Sequence, residues 1–182
     1  MSYPKYTQEV FELLSRGHFL CDNSPHRSER KLYDICLEDL HEYRDYFNQI
    51  GFGLEEGDGY FYFSKSLNSK SIEEKLQKVL EYIDLVELML QYSPTFGVGF
   101  RTTVAEFSIA VKGNAVLKDR LERLRSSSAN ITLHQQCSRV LDAFVKGGFM
   151  AVENEHEQRY RVLTSYNYLE TFLSAIEVPD FE

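Results

Sequence analysis

The sequence is poor in the residues that build covalent or metal frameworks. Cys21, Cys36 and Cys137 are widely spaced, with no C-x-x-C pair, which argues against a disulfide scaffold and a zinc site and leaves three ordinary buried thiols as the expectation. His18, Cys21 and His26 come nearest to a ligand set, but they straddle a proline-containing loop and have no fourth partner at a recognised spacing. No apolar run follows a basic cluster near the N-terminus, and no stretch approaches the roughly 20 apolar residues of a membrane span. The expected location is the cytoplasm, with no membrane partner, and there the Asn130-Ile-Thr132 sequon has no meaning. Catalytic motifs are missing as well. The five histidines are scattered, no G-x-S-x-G occurs, and no Ser, His and Asp set gathers locally. The glycines of Gly51-Phe-Gly-Leu-Glu-Glu-Gly-Asp-Gly59 follow a helix and enter a strand, the reverse of what a phosphate loop needs to aim its amides. Gly97-Val-Gly99 has no Lys-Ser/Thr after it. Neither a nucleotide, another cofactor nor an enzymatic activity is expected.

What is present suits a packed protein. The 182 residues fit one domain or two small ones, and 43% hydrophobic with 26% charged residues is close to globular averages. The net charge of −8 is uneven: Met1 to Ser93 holds 10 Lys/Arg against 17 Asp/Glu, and Pro94 to Glu182 holds 10 against 11. Affinity for phosphate backbones comes mostly from cationic side chains. An acidic front half therefore suits a protein partner better than DNA.

The pattern along the chain is a helix-and-hairpin plan given twice. Phe47-Asn-Gln-Ile-Gly-Phe52 reads as a helix end, and Asp58-Gly59 as a hairpin turn between strands at Phe52 to Leu54 and Tyr60 to Phe63. Phe144-Val-Lys-Gly-Gly-Phe149 repeats the Phe-x-x-x-Gly-Phe, ahead of a strand at Arg159 to Leu163. Upstream, Tyr6 to Ser15 is a helix with Thr7 as cap and Gly17 as its closing glycine, followed by a short strand at His18 to Cys21. Ser28 caps two short helices, or one bent one, running to Ile50. Between the halves, Ser69 to Tyr92 carries one apolar stripe and a Ser71/Glu74 capping box, and Ser93-Pro94 ends it. The second half offers helices at Thr103 to Val111, at Ala115 to Arg125, from a Thr132/Gln135 capping box to Lys146, and at Tyr166 to Ile176. The fold class predicted is α+β, mainly α: tandem winged-helix domains over 1–68 and 94–182, joined by a long helix over 69–93.

Three surfaces are candidates for function. Glu38, Asp39, Glu42 and Asp45 crowd the third helix of the first unit, where carboxylates repel DNA and instead suit a solvated face or a basic protein surface. Lys112, Lys118, Arg120, Arg123 and Arg125, with Arg159 and Arg161 on the second wing, form the one basic cluster. It fits either sequence-independent phosphate contact or a solvated helix laced with intrahelical pairs. The Tyr60-Phe-Tyr-Phe63 strand is aromatic on both faces, so the face of Tyr60 and Tyr62 is either covered by the connecting helix or free for a protein partner.

Arg16-Gly17, Tyr33, Tyr46-Phe47, Gly51 and Gly59-Tyr-Phe-Tyr62, in that order, resemble the MukE/MksE-type subunits of bacterial condensin-like SMC complexes, which are tandem winged-helix proteins that bind kleisins. The match is clearest over Leu14 to Lys65, and the chain is shorter than a MukE, which favours the MksE-like branch or its plasmid-defence relatives. The resemblance implies a non-enzymatic, nucleoid-associated subunit, usually dimeric. It would grip a MukF/MksF-like kleisin subunit and, through it, an SMC ATPase, supporting DNA capture, chromosome organisation and segregation or plasmid defence. DNA would be touched non-specifically within the assembly. A stand-alone winged-helix transcriptional regulator is the competing reading; it needs a basic recognition helix, which only Ala115 to Arg125 offers.

Overall fold

The computed structural model describes residues 4–64, 69–124 and 131–175. The chain is α+β and mainly helical, with two small antiparallel sheets among the described residues. The first run is α1 (Thr7–Ser15), β1 (Leu20–Cys21), α2 (Arg27–Glu38), α3 (Leu40–Gln49) and the hairpin β2 (Gly53–Gly57) with β3 (Tyr60–Ser64). Helix α4 (Ser69–Tyr92) follows, over the bounds that its apolar stripe predicts. The second run is β4 (Arg101–Thr103), α5 (Val104–Gly113), α6 (Ala115–Arg123), α7 (Leu133–Lys146), the hairpin β5 (Met150–Asn154) with β6 (Arg159–Val162), and α8 (Tyr166–Ala175). Both sheets put their last strand in the middle, in the orders β1-β3-β2 and β4-β6-β5.

The Phe-x-x-x-Gly-Phe repeat has one physical cause in both places. At the end of α3 the Phe52 amide donates to the Phe47 carbonyl at 2.9 Å and the Gly51 amide to Asn48 at 3.1 Å. After α7 the Phe149 amide donates to Phe144 at 2.9 Å and the Gly148 amide to Val145 at 2.9 Å. These paired bonds are a Schellman cap, which needs a left-handed residue at the penultimate position. Gly51 and Gly148 supply it, with φ of +83° and +80°. Each cap turns the chain into its hairpin; Phe47 and Phe144 before the turns are fully buried, Phe149 after the second is buried too, and Phe52 after the first packs half-buried against the core.

Two cores result. Val10, Leu14, Leu20, Tyr33, Cys36, Tyr43, Phe47, Leu54 and Phe61 are buried together in the first run. The second core is larger and includes Phe107, Leu117, Leu141, Phe144 and Tyr166 together with Val86, Leu88 and Met89 of α4. The C-terminal part of the long helix is thus a wall of the second core, and the Tyr82 hydroxyl donates to the Ala143 carbonyl of α7 at 2.9 Å. Cys21, Cys36 and Cys137 are all buried, and burial raises each thiol, to about 12 for Cys36.

Several local expectations shift. Thr7 is the first residue of α1, not its cap; Tyr6 takes the cap position with φ of +59°, and the Thr7 hydroxyl donates to Pro4. Ser28 lies inside α2, because the Ser24 hydroxyl takes the His26 amide at 3.2 Å and donates to Glu29 at 2.6 Å, fixing the start of the helix earlier. Helix α4 is already formed at Ser69, so Ser71 is not its cap, and the Ser71 and Glu74 side chains lie outside the described ones. The Thr132/Gln135 box is present as predicted, and a second box at Thr103/Glu106 joins it. The first hairpin turns in only two residues, with Gly57 opposite Tyr60, and Gly59 alone is left-handed, at φ +80°.

Candidate functional site

The acidic cluster is divided by a helix break. Glu38 ends α2, Asp39 stands between the helices, and Glu42 and Asp45 lie on α3; all four are exposed. His41 pairs with Asp45 at 3.1 Å along the helix. Leu37 and Ile50, exposed by 46% and 48%, bracket this region at the ends of the two helices. The arrangement presents carboxylates and two large apolar side chains to solvent.

The basic cluster separates into two kinds of residue. On α6 the cations are exposed but paired: Lys118 with Glu122 at 3.9 Å, Arg123 with Asp119 at 2.8 Å, and Arg120 with Glu87 of α4 at 2.6 Å. Such exposed pairs contribute at most about 1 kcal/mol each, so they hold the side chains only loosely. Lys112 is exposed at the end of α5, and Arg159 pairs with Glu157 at 2.8 Å. Arg125 lies outside the described residues. Arg161 is different in kind, with its side chain 19% exposed. It pairs with Glu153, which Arg101 also holds at 3.0 Å, and it donates to the Asn23 carbonyl at 3.1 Å. Burial pushes the Glu153 carboxyl up, but the Arg101 hydrogen bond and the charges of Arg161 and Arg101 outweigh it, leaving the group below the usual carboxylate range. The Arg161 Nε is buried with no acceptor among the described residues. Arg161 is therefore a structural cation.

The aromatic strand is covered from within the chain. Tyr60 is 7% exposed and shares a small apolar cluster with Cys21, Ala151 and Leu163, against which Phe19, Tyr62 and Tyr168 pack. Phe19 stands at its centre, with ring centroids 5.7 Å from Tyr60, 5.9 Å from Tyr62, 5.6 Å from Phe149 and 5.3 Å from Tyr168. Among the described residues the cover comes from Phe19 just before β1, Ala151 of β5, Leu163 just after β6 and Tyr168 of α8; the connecting helix's side chains at 69–76 and 78–79 lie outside the described ones. Burial raises the Tyr60 and Tyr62 hydroxyls, and Tyr168 to about 12.

Beside this seam is a set of polar contacts that residue-by-residue reading misses. The Asn23 side chain donates through Nδ2 to the Val162 carbonyl at 3.1 Å and accepts the Thr164 amide at 2.9 Å. The Thr164 hydroxyl donates to the Gly59 carbonyl, at the first hairpin turn, at 2.7 Å. Asn23 thus imitates a strand's backbone and ties the β1–α2 loop to the end of β6. In sequence, Asp22-Asn-Ser-Pro signals only a turn. Nothing local announces a partner 139 residues away.

Among the described residues no three metal-ligating side chains converge, and no helix is long and apolar enough to cross a membrane. The exposed surfaces described above are charged helix faces, with their cations largely paired. The family comparison is specific: the model of condensin complex protein MksE matches residues 5–173, from ahead of α1 into α8. The chain belongs to the MksE family of condensin complex proteins. No curated protein matches it.

Proposed function

We propose that the chain is a non-catalytic accessory subunit of a bacterial SMC/condensin-like complex. In this reading it is a tandem winged-helix protein, with units at 1–68 and 94–182 joined by 69–93, that grips the kleisin subunit and through it an SMC ATPase. The observation that carries the reading is the duplication within a chain of the MksE family. Each run places three helices, a Schellman cap and a hairpin around a sheet of the same strand order. The participation of α4 in the second core supports assigning its C-terminal part to the second unit.

The subunit works as a homodimer in the nucleoid, supporting DNA capture, chromosome organisation and segregation or plasmid defence. The acidic residues Glu38, Glu42 and Asp45 face a basic partner surface, and Lys112, Lys118, Arg120, Arg123, Arg125 and Arg159 meet DNA phosphates without base readout. Arg161 leaves that set because it is engaged in the fold. Tyr60 and Tyr62 act indirectly, by fixing how the two units sit. Co-expression with the kleisin subunit tests the reading. A stoichiometric complex surviving size exclusion is the expected result; two separate peaks, with the isolated chain binding one DNA sequence tightly at physiological salt, would support the regulator instead.

A further inference from the structure

Helix α5 turns one face to solvent, and that face is symmetric in residue type about its middle residue. Val104, Phe107, Ser108 and Val111 are buried, whereas Ala105, Glu106, Ile109, Lys112 and Gly113 are exposed. Residues three and four apart share a helix face, so these five form one surface with Ile109 at its centre. Ile109 is 70% exposed, more than any other large apolar side chain among the described residues, and Val116, at the start of α6, follows at 58%. A singly exposed apolar residue is ordinary. The surroundings of this one are not. Ala105 and Gly113 stand four positions to either side of Ile109, and Glu106 and Lys112 three positions to either side. Small residue mirrors small, and acid mirrors base.

The chain's own fold does not account for the two residues at the far end of this face. Gly113 ends α5 without a positive φ, and a Cβ built on it meets nothing within 4 Å. Neither turn geometry nor crowding calls for glycine there, and glycine weakens a helix relative to alanine. Lys112 has no ion-pair partner among the described residues. At the near end, Glu106 accepts the Thr103 amide and hydroxyl through Oε2 at 2.8 and 3.0 Å, a capping box that fixes where its carboxylate stands. Charges on the neighbouring elements are already matched. Lys118, which lines a cavity with Lys112, pairs with Glu122 at 3.9 Å, and Arg159, opposite Thr103 in the sheet, pairs with Glu157 at 2.8 Å.

We infer that α5 is a contact between two copies of this chain, packed α5 against α5 in antiparallel fashion about a twofold axis at Ile109. In such a contact each residue meets the one equally far on the other side of the centre. Glu106 then faces Lys112 of the second copy and Lys112 faces its Glu106, Ile109 packs on its counterpart, and the open side of Gly113 admits the other helix at Ala105. A polyanion laid on this face would meet Glu106, and a basic segment would meet Lys112. A surface carrying both signs in reversed order satisfies both, and the chain's own face is one. The inference rests on the homodimer proposed above and names its surface. A lysine has three donors, so Lys112 at the rim of this contact can still meet a phosphate. Helix α5 has 10 residues and spans about 15 Å, short for a standard interface of about 800 Å² per partner. A reversible dimer is therefore expected, with Val116 adding apolar surface beside the helix.

Sedimentation velocity of the full chain over a concentration series tests it, with circular dichroism as the check on folding. The wild-type chain is expected to dimerise. Gly113→Leu projects into the space where a Cβ meets nothing of the chain's own, so it should leave Tm unchanged or raised and increase the dimer Kd about tenfold or more. Ile109→Glu should increase Kd similarly. Lys112→Glu and Glu106→Lys each set like charges together twice in a twofold contact, and each alone should weaken self-association about tenfold. An equimolar mixture of these two variants restores both opposite-charge pairs and should form a mixed dimer of near wild-type affinity. A dimer whose Kd all four variants leave unchanged overturns the α5 contact and leaves the homodimer standing on another surface. A wild-type chain that stays monomeric throughout the series removes the homodimer and this contact together. Unchanged self-association with loss of the kleisin from the co-expressed complex identifies the kleisin as occupant and overturns the proposal. Should Glu106→Lys not fold for want of its capping box, Gly113→Leu and Lys112→Glu decide.

Discussion

Replacing Asn23 by alanine tests the join between the two halves most cleanly. The change removes two hydrogen bonds, at 3.1 and 2.9 Å, with only a small loss of packing. The consequences for the two backbone groups differ. The Val162 carbonyl keeps the Gly99 amide at 3.0 Å, whereas the Thr164 amide loses its acceptor. A typical intramolecular hydrogen bond contributes about 1 kcal/mol net, and a buried donor left without a partner costs about 1–3 kcal/mol. Asn23 is only partly buried, so water can relieve some of this. A destabilisation of about 2 kcal/mol follows. For a chain of 182 residues, each kcal/mol lowers Tm by about 2–4 °C, giving a fall of about 4–8 °C. Circular dichroism or calorimetry reads it directly. A Tm within about 1 °C of wild type would refute the clamp, since that is the behaviour of an ordinary loop asparagine.

Other perturbations act on separate parts of the molecule. Tyr60→Ala should destabilise the chain by about 3 kcal/mol or more, because it opens a cavity in a closed seam; a denaturant midpoint equal to wild type would contradict the burial. Gly59→Ala adds a Cβ at φ +80°, 2.9 Å from both Asp22 Oδ2 and Thr164 Cγ2, and should lower stability, read in the same way, by at least about 1–2 kcal/mol. The Glu153 carboxyl is held low in the folded state, so its contribution is present above the unfolded carboxylate range and is lost as pH falls through the folded value. Glu153→Gln should therefore be less stable at pH 7 and show a shallower loss of stability on acidification, read from urea midpoints across the acid range. Changing Lys112, Arg120 and Arg123 together to Glu should weaken DNA association of the assembled complex. It should also reduce the slope of log K against log salt by about 0.9 for each phosphate that these cations neutralise.

Much of the local architecture could be read from the sequence, because its causes are local. A Phe-x-x-x-Gly-Phe run needs its glycine to turn the chain after a helix, and the Thr132/Gln135 box starts a helix by satisfying amides three residues apart. The long helix followed from its apolar stripe and from Ser93-Pro94, which ends it. Edges read less well: strand β4 is only three residues, Arg101–Thr103, with no alternation to reveal it, and it is held by pairing with β6. What faces what was not legible. Tyr60 and Tyr62 read as a surplus aromatic face because the ring that meets both, Phe19, and the covering Tyr168 lie elsewhere in the chain. Arg161 reads as one more wing cation until Glu153 and the Asn23 carbonyl are brought to it across the fold. Charge type is visible in a sequence; whether a charge is free to meet a partner depends on tertiary structure.

Membership of a kleisin-centred complex is decided by a pull-down of the tagged full chain from its own cell at physiological salt, with stoichiometry read by quantitative mass spectrometry. The expected result is recovery of a kleisin subunit in a fixed ratio to the chain, together with a long coiled-coil SMC ATPase, and loss of the ATPase when the kleisin is removed. Recovery of the chain without either, bound instead to a single DNA sequence, would contradict it.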